Sequence, residues 1–251
     1  MGPGEVLVRV RSASVDHVDR KVLRGNLDGV IQTVFPAIPG WDVAGVVERV
    51  GFDTPEFTAG DEVMAYARKD VVQGGTFAEL VTVPVRAFAR KPASLDWHQA
   101  AGLPLAGLTA YQMMTRLEVS AGETVLVHAA SGGVGILAVQ IAAAMGARVI
   151  GTASESNHAF LRELGAEPVT YGDGLTEHVR ELAPDGVDVV TDFVGGVLDV
   201  TRAVLRAGGR HGSIAQPEVS EAGGGSTSGC DPMPPGCRPS PTWPTWPTKE
   251  S

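Results

Sequence analysis

The stretch TVLVHAASGGVGILAVQIAAAMGA, Thr124 to Ala147, limits the fold more than any other part of the chain. TVLVHAA is a short apolar run of the kind that forms a strand covered on both faces. Val134, Leu137, Ala138, Ile141, Ala142 and Met145 then recur at helical spacing, as the apolar face of a helix that ends at Gly146. The glycine-rich turn HAASGGVG lies between them. The chain beyond Ala147 repeats the alternation. ARVIGTA reads as a strand, Ser154 as the cap of a helix through AFLREL closed by Gly165, and EPVTY as a short strand before a helix around LTEHVREL. GVDVVTDFVGG, VLDVTRAVLRAGG and GRHGSIA continue as strand, helix and strand. Such alternation predicts a parallel sheet with helices on both faces.

The first third has another texture. VLVRV, DVAGVVERVG, DEVMAYA and GTFAELVTVP are short branched or alternating runs broken by Gly, Pro and Asp, which predict a small, mostly β unit. From about Ser94 the segment LDWHQAAGLPLAGLTAYQMMTRL reads as helical, so a junction is expected near Lys91 to Asp96. The expected organisation is a β-rich domain over 1–93, a nucleotide-binding domain over 94–217 and a disordered tail over 218–251. Between Ala222 and Ser251, Gly and Pro fill 12 of 30 positions and TWPTWPT repeats itself, so no regular element can propagate there. That tail also holds both cysteines, Cys230 and Cys237, a composition that reading a Gly/Pro-rich gene out of frame would give.

The totals exclude several classes. A formal net charge of -9, with no Lys/Arg run, argues against a nucleic-acid partner, because such binding rests on cationic contacts. No long apolar stretch is free of polar interruption, and MGPGEVLVRV lacks a basic region followed by an apolar signal core, so a cytoplasmic chain without a membrane partner is expected. With no cysteine before Cys230, residues 1 to 229 cannot contain a thiolate metal site.

A dinucleotide fingerprint places its glycines between the first strand and its helix, where backbone N–H groups and the helix N-terminus meet a pyrophosphate. Here Gly132 and Gly135 fill the second and third glycine positions, and Ala130 replaces the first. An ordinary tight turn is the alternative, but the strand before, the periodic helix after and the βα units beyond supply the context the motif requires. A P-loop is excluded, since no Lys-Ser/Thr follows the last glycine.

PGWDVAGVVERVG, GTFAELVTVP, AAGLPLAGLTAYQ and the cradle segment together resemble the zinc-independent quinone oxidoreductase branch of the medium-chain dehydrogenase/reductase superfamily, from about Gly4 to Gln216. The resemblance implies a partial GroES-like domain and a Rossmann domain of α/β class, a doubly wound parallel sheet lacking its last strand. It implies bound NADPH, hydride transfer to a quinone or an activated alkene, and homodimers. Segments that relatives carry before Gly4 and after Gln216 are absent, which raises the alternative of a non-catalytic nucleotide-binding remnant or a frameshifted, incomplete gene product. Zinc-containing relatives carry a Gly-His-Glu segment and an upstream cysteine, where this chain has Gly40, Trp41, Asp42 and Asp16. No metal is expected, since catalytic zinc takes three N, S or O ligands.

By the same resemblance, the cofactor meets Thr109, the turn Ala130, Ser131, Gly132, Gly133, Val134 and Gly135, and the later strand ends at Asp192 and Ser213. Ser154, His158 and Tyr171 map onto contacts with the 2′-phosphate, although His158 also suits a plain surface position. Asp16 and Asp42 map next to the nicotinamide. Asp42 could equally order the PGWD turn, and Tyr66 could donate a proton or merely pack in the core.

Overall fold

The computed structural model describes residues 1–215, so the tail expected over 218–251 lies outside the described residues. The chain divides into two compact units, Met1–Ala106 and the part from Gly107 onward. The texture of the sequence changes earlier, at Lys91–Asp96. The residues between stay with the first unit because a short helix there, α2 (Trp97–Ala101), buries Ala100 and Ala101 against Ala44.

The first unit is built on an antiparallel sheet of β1 (Glu5–Ser12), β2 (Asp42–Val50), β3 (Glu62–Tyr66), β4 (Leu80–Pro84) and β5 (Phe88–Arg90), in the order β4-β1-β2-β3-β5. The alternation seen in the sequence sorts the side chains: Val6, Val8, Val43, Val47, Val63, Val81 and Val83 share one core. Gly45 is required in β2, because a Cβ there would lie 2.3 Å from the Arg9 carbonyl. A helix that the strand-like reading of this region omitted, α1 (His17–Leu23), follows Asp16. Its signal is local: the Asp16 backbone N–H donates to Asp19 Oδ2 at 2.8 Å, closing the first turn from three residues on.

The second unit carries a fully parallel sheet of β6 (Thr124–His128), β7 (Arg148–Ala153), β8 (Ala166–Thr170), β9 (Val187–Asp192) and β10 (Leu205–Ser213), in the order β10-β9-β6-β7-β8. With α3 (Pro104–Arg116), whose first residues through Ala106 belong to the first unit, and with α4 (Gly133–Ala144), α5 (His158–Glu163), α6 (Leu175–Leu182) and α7 (Leu198–Val204), this is the doubly wound pattern. Adjacent residues of one strand feed opposite cores. Val125, Val127, Val149 and Val189 pack with Met113, Met114, Ala138 and Val139, while Leu126, Ile150, Val187 and Val190 pack with Leu175, Val179 and Val204. Burying each such side chain contributes about 1.5–3 kcal/mol, and double-sided burial explains why these strands read as unbroken apolar runs.

Two sequence expectations need correcting. Ser154 does not cap a helix through its side chain; a single 3-10 turn, Glu155–Asn157, intervenes before α5. The helix expected through Gly209 stops at Val204, and β10 begins at once, with a register shift between Leu205 and Arg210 opposite Val187 and Val189. Gly208, at φ 75°, sits in that bulge. Among the described residues no helix is long and apolar enough to cross a membrane.

Candidate functional site

The glycine turn leaves β6 through Ala129, whose φ is 54°. Two bonds to Thr152 of β7 fix the bend: Ala129 N–H donates to its Oγ1 at 3.0 Å and Ala130 N–H to its carbonyl at 2.9 Å. Gly132 then caps α4 in extended conformation, offering no side chain to the helix. The first N–H groups of an α-helix have no partner within it, so the amides of Gly133, Val134 and Gly135 form the donor end of this one.

The three glycines differ in what they permit. A Cβ on Gly135 would stand 2.1 Å from the Ala129 carbonyl oxygen and 2.8 Å from Ala130, so the helix could not approach the strand. A Cβ on Gly132 would meet the same carbonyl at 3.2 Å. On Gly133 it would meet nothing within 4 Å. Gly135 therefore serves packing, and Gly133 borders open space that a ligand can enter. The packing role of Gly135 matches that of the third glycine of a dinucleotide turn.

The carboxyl end of β7 lies beside this turn. Asn157 Nδ2 donates to Ser131 Oγ at 3.2 Å and to Ser154 Oγ at 3.3 Å, and Ser154 Oγ and Ser156 Oγ are 3.0 Å apart. His158 Nε2 lies 3.4 Å from Thr170 Oγ1. Thr170 pairs with Ala153, so Tyr171, 61% exposed, stands at the same end of the sheet as Ser154. The sequence reading missed Asn157, although a side-chain amide three residues after the capping position was there to be noticed.

Asp192 and Ser213 come together at the ends of β9 and β10, both buried. Asp192 Oδ1 accepts from the N–H groups of Val194 and Gly195, at 2.9 and 2.8 Å, and Oδ2 accepts from Ser213 Oγ at 2.8 Å. Together they pin the turn after β9 to the end of β10. His128 pairs with Asp192 across the sheet, and its Nε2 and that of His211 are buried without a partner among the described residues. Burial, reinforced by His211, holds the His128 imidazole down to about 4 against the attraction of Asp192. Thr109 lies in α3, buried to 9% exposure.

In the first unit, Asp16 and Asp42 are brought together through Ser14, whose hydroxyl is 2.8 Å from Asp16 Oδ2 and 3.5 Å from Asp42 Oδ2. Asp42 is fully buried at the start of β2 and accepts the Leu105 N–H with both oxygens, at 3.1 and 2.9 Å. Its carboxyl thus caps the first turn of α3 from another element. Asp19, also buried, accepts from Asp16 N–H and, at 3.1 Å, from Gly40 N–H. Burial, reinforced by Asp16 and Asp19, pushes Asp42 up to about 8 against the pull of the Leu105 N–H. Tyr66 pairs in register with Asp42, and its ring meets Trp41 edge to face. Among the described residues no group of three His, Cys, Asp or Glu side chains could hold a metal ion.

Comparison with known proteins agrees with this geometry. Residues 2–93 match the alcohol dehydrogenase GroES-like domain and residues 133–226 the zinc-binding dehydrogenase domain. An NADPH-dependent alkenal/one oxidoreductase from Arabidopsis thaliana chloroplasts is 37% identical over 212 residues, which are 82% of this chain and 54% of the relative. The chain therefore spans about half the length of the curated relatives it matches. Among solved structures, an alcohol dehydrogenase superfamily protein from Novosphingobium aromaticivorans superposes with a TM-score of 0.81 at 34% identity, covering 90% of this chain and 71% of that one. The quinone oxidoreductase of Coxiella burnetii gives 0.74 at 35% identity, covering 87% and 69%. With both domains matched in order and a solved relative covered over more than two thirds of its length, this chain belongs to the medium-chain dehydrogenase/reductase family.

Proposed function

We propose that this chain is an NADPH-dependent oxidoreductase that transfers hydride to a quinone or an α,β-unsaturated carbonyl without zinc. The observation that carries this reading is the turn from Ala129 to Gly135, rigid where Gly135 packs and open at Gly133, with serine hydroxyls gathered at the neighbouring strand end. NADPH, when bound, supplies the hydride, and the protein supplies binding and orientation. In this reading the Gly133 to Gly135 amides hold the pyrophosphate, and Ser154, His158 and Tyr171 face the 2′-phosphate. Asp192 and Ser213 keep the later strand ends in place. Asp42 acts as a positioning residue, keeping a proton at neutral pH while it ties β2 to the start of α3. Asp16 is held in the same network through Ser14, and Tyr66 borders it.

Zinc is not part of this reading, because both Asp42 oxygens take the Leu105 N–H and, among the described residues, no group of three His, Cys, Asp or Glu side chains could hold a metal ion. Without a Lewis acid to polarise an alcohol, acceptors that are already electrophilic are the natural substrates. The named activities of the relatives, on alkenals, alkenones and quinones, fit such acceptors. The test is nucleotide fluorescence titration followed by NADPH consumption with a benzoquinone and with a 2-alkenal, before and after dialysis against a chelator. Saturable NADPH binding with chelator-resistant turnover is expected; turnover restored only by added zinc would overturn the reading.

A further inference from the structure

Asn157 touches two loops that the sequence places 23 residues apart, the glycine turn at Ser131 and the end of β7 at Ser154. Its amide nitrogen carries two hydrogens and offers no acceptor, so both serine oxygens must accept from it. A hydroxyl that accepts still has its own hydrogen to give. Ser131 is thereby left with a hydrogen to give, and so is Ser154 when Ser156, whose Oγ lies 3.0 Å away, donates to it. Donors of this kind suit a phosphate, which only accepts, better than ribose hydroxyls, which also donate. The need is real in this chain, because Ser154, Glu155, Ser156, Asn157 and His158 include no Lys or Arg to supply a permanent charge.

Resting on the NADPH reading above, we propose that Asn157 is a specificity-determining positioning residue, which sets the preference for a 2′-phosphorylated nucleotide by polarising Ser131 and Ser154 into donors. It does so without touching the nucleotide. The reverse arrangement can be made with one atom. In Asn157→Asp the carboxylate accepts where the amide donated, takes up both serine hydrogens and adds a negative charge beside the place of the 2′-phosphate. Side-chain size is unchanged, so the fold should hold.

The experiment measures the dissociation constants of NADPH, NADH and adenosine 2′,5′-bisphosphate by calorimetry for the wild type, Asn157→Asp and Asn157→Leu, with melting temperatures alongside. In Asn157→Asp, NADPH and the bisphosphate should each bind at least roughly tenfold more weakly while NADH binds as well as before or better, so that the preference collapses or inverts. Asn157→Leu removes the donation without adding charge, and should lose a smaller part of the preference, with NADH unaffected. Equal weakening of NADPH and NADH in both variants would mean a merely structural role, and an unchanged ratio would mean that Asn157 does not act on the hydroxyls; either overturns the proposal. A wild type that binds neither dinucleotide, or that prefers NADH, fails at an earlier point and overturns the NADPH reading, and this proposal with it.

Discussion

The two units handle polar groups in opposite ways. In the β-rich unit the acids Asp16, Asp19 and Asp42 are interlocked by Ser14 and by the N–H groups of Asp16, Gly40 and Leu105, and two of the three are buried. In the α/β unit the glycine turn holds itself with backbone bonds, and the start of α4, whose first amides have no partner within the helix, borders open space at Gly133. The first arrangement has used its hydrogen-bonding capacity on itself, and the second has kept some in reserve. Reserve capacity marks where a ligand can go, whereas the buried acids here mark a joint between elements.

The sharpest way to break this comparison is within the turn itself. Gly135→Ala should destabilise the fold by about 3 kcal/mol or more, since the new methyl meets a backbone carbonyl that cannot yield. A fall of roughly 10 °C in Tm would register it. Gly133→Val should do the reverse, leaving Tm nearly unchanged while weakening NADPH binding on the order of 100-fold, or ~2.7 kcal/mol. If Gly133→Val instead melted early and bound normally, the open space would not be the cradle.

Asp42 provides the next test. The unfolded carboxyl ionises near its ordinary value of 3.8, while the native one keeps its proton up to about 8. Its stabilising contribution is therefore full below the ordinary carboxylate range and is lost as pH rises toward 8, at no more than about 1.4 kcal/mol per pH unit. Asn retains an acceptor for the Leu105 N–H and has no proton to lose. Urea unfolding at pH values from about 5 to 8 should show that Asp42→Asn flattens the decline seen in the wild type. Equal slopes in the two proteins would mean that Asp42 is ionised in the native state.

The smallest expected effect has the opposite sign. His128 is held neutral in the fold down to about 4, but the unfolded chain takes up a proton near 6.5, so this group's contribution is present above 6.5 and is lost as pH falls toward 4. His211 is shifted in the same direction by burial. His128→Leu should soften acid unfolding in that window without altering stability at higher pH by more than about 1 kcal/mol. An unaltered acid profile would place the proton uptake elsewhere.

Much of the α/β unit was legible because both of its signals are local. Unbroken apolar strands and a helical period on either side of one glycine turn admit few arrangements, and β6, α4 and β7 lie close to where the patterns put them. The β-rich unit yielded its strands by alternation and hid α1, whose capping contact uses acids that also suit a turn. Site residues were harder for a physical reason. Asp42 meets Leu105 across 63 positions and Asn157 meets Ser131 across 26, and no spacing rule reaches that far. Ser154 carried a helix-cap signal that the 3-10 turn overrode, and its hydroxyl was left for Ser156 and Asn157.

Ala129 has a consequence for the order of events when a nucleotide arrives. A left-handed backbone at a residue with a Cβ costs about 1–2 kcal/mol, and here it is sustained by Thr152 from behind and by the Gly132 N–H, which donates to the Ala129 carbonyl at 2.9 Å. A bend held from so many sides is already in its final shape in the free chain. Amide protons of Ala129, Ala130 and Gly132 should consequently exchange slowly with solvent even without nucleotide, while those of Gly133 and Val134 exchange freely until one binds. Association should then show a single concentration-dependent phase, with no slower step in which the turn rearranges around its guest.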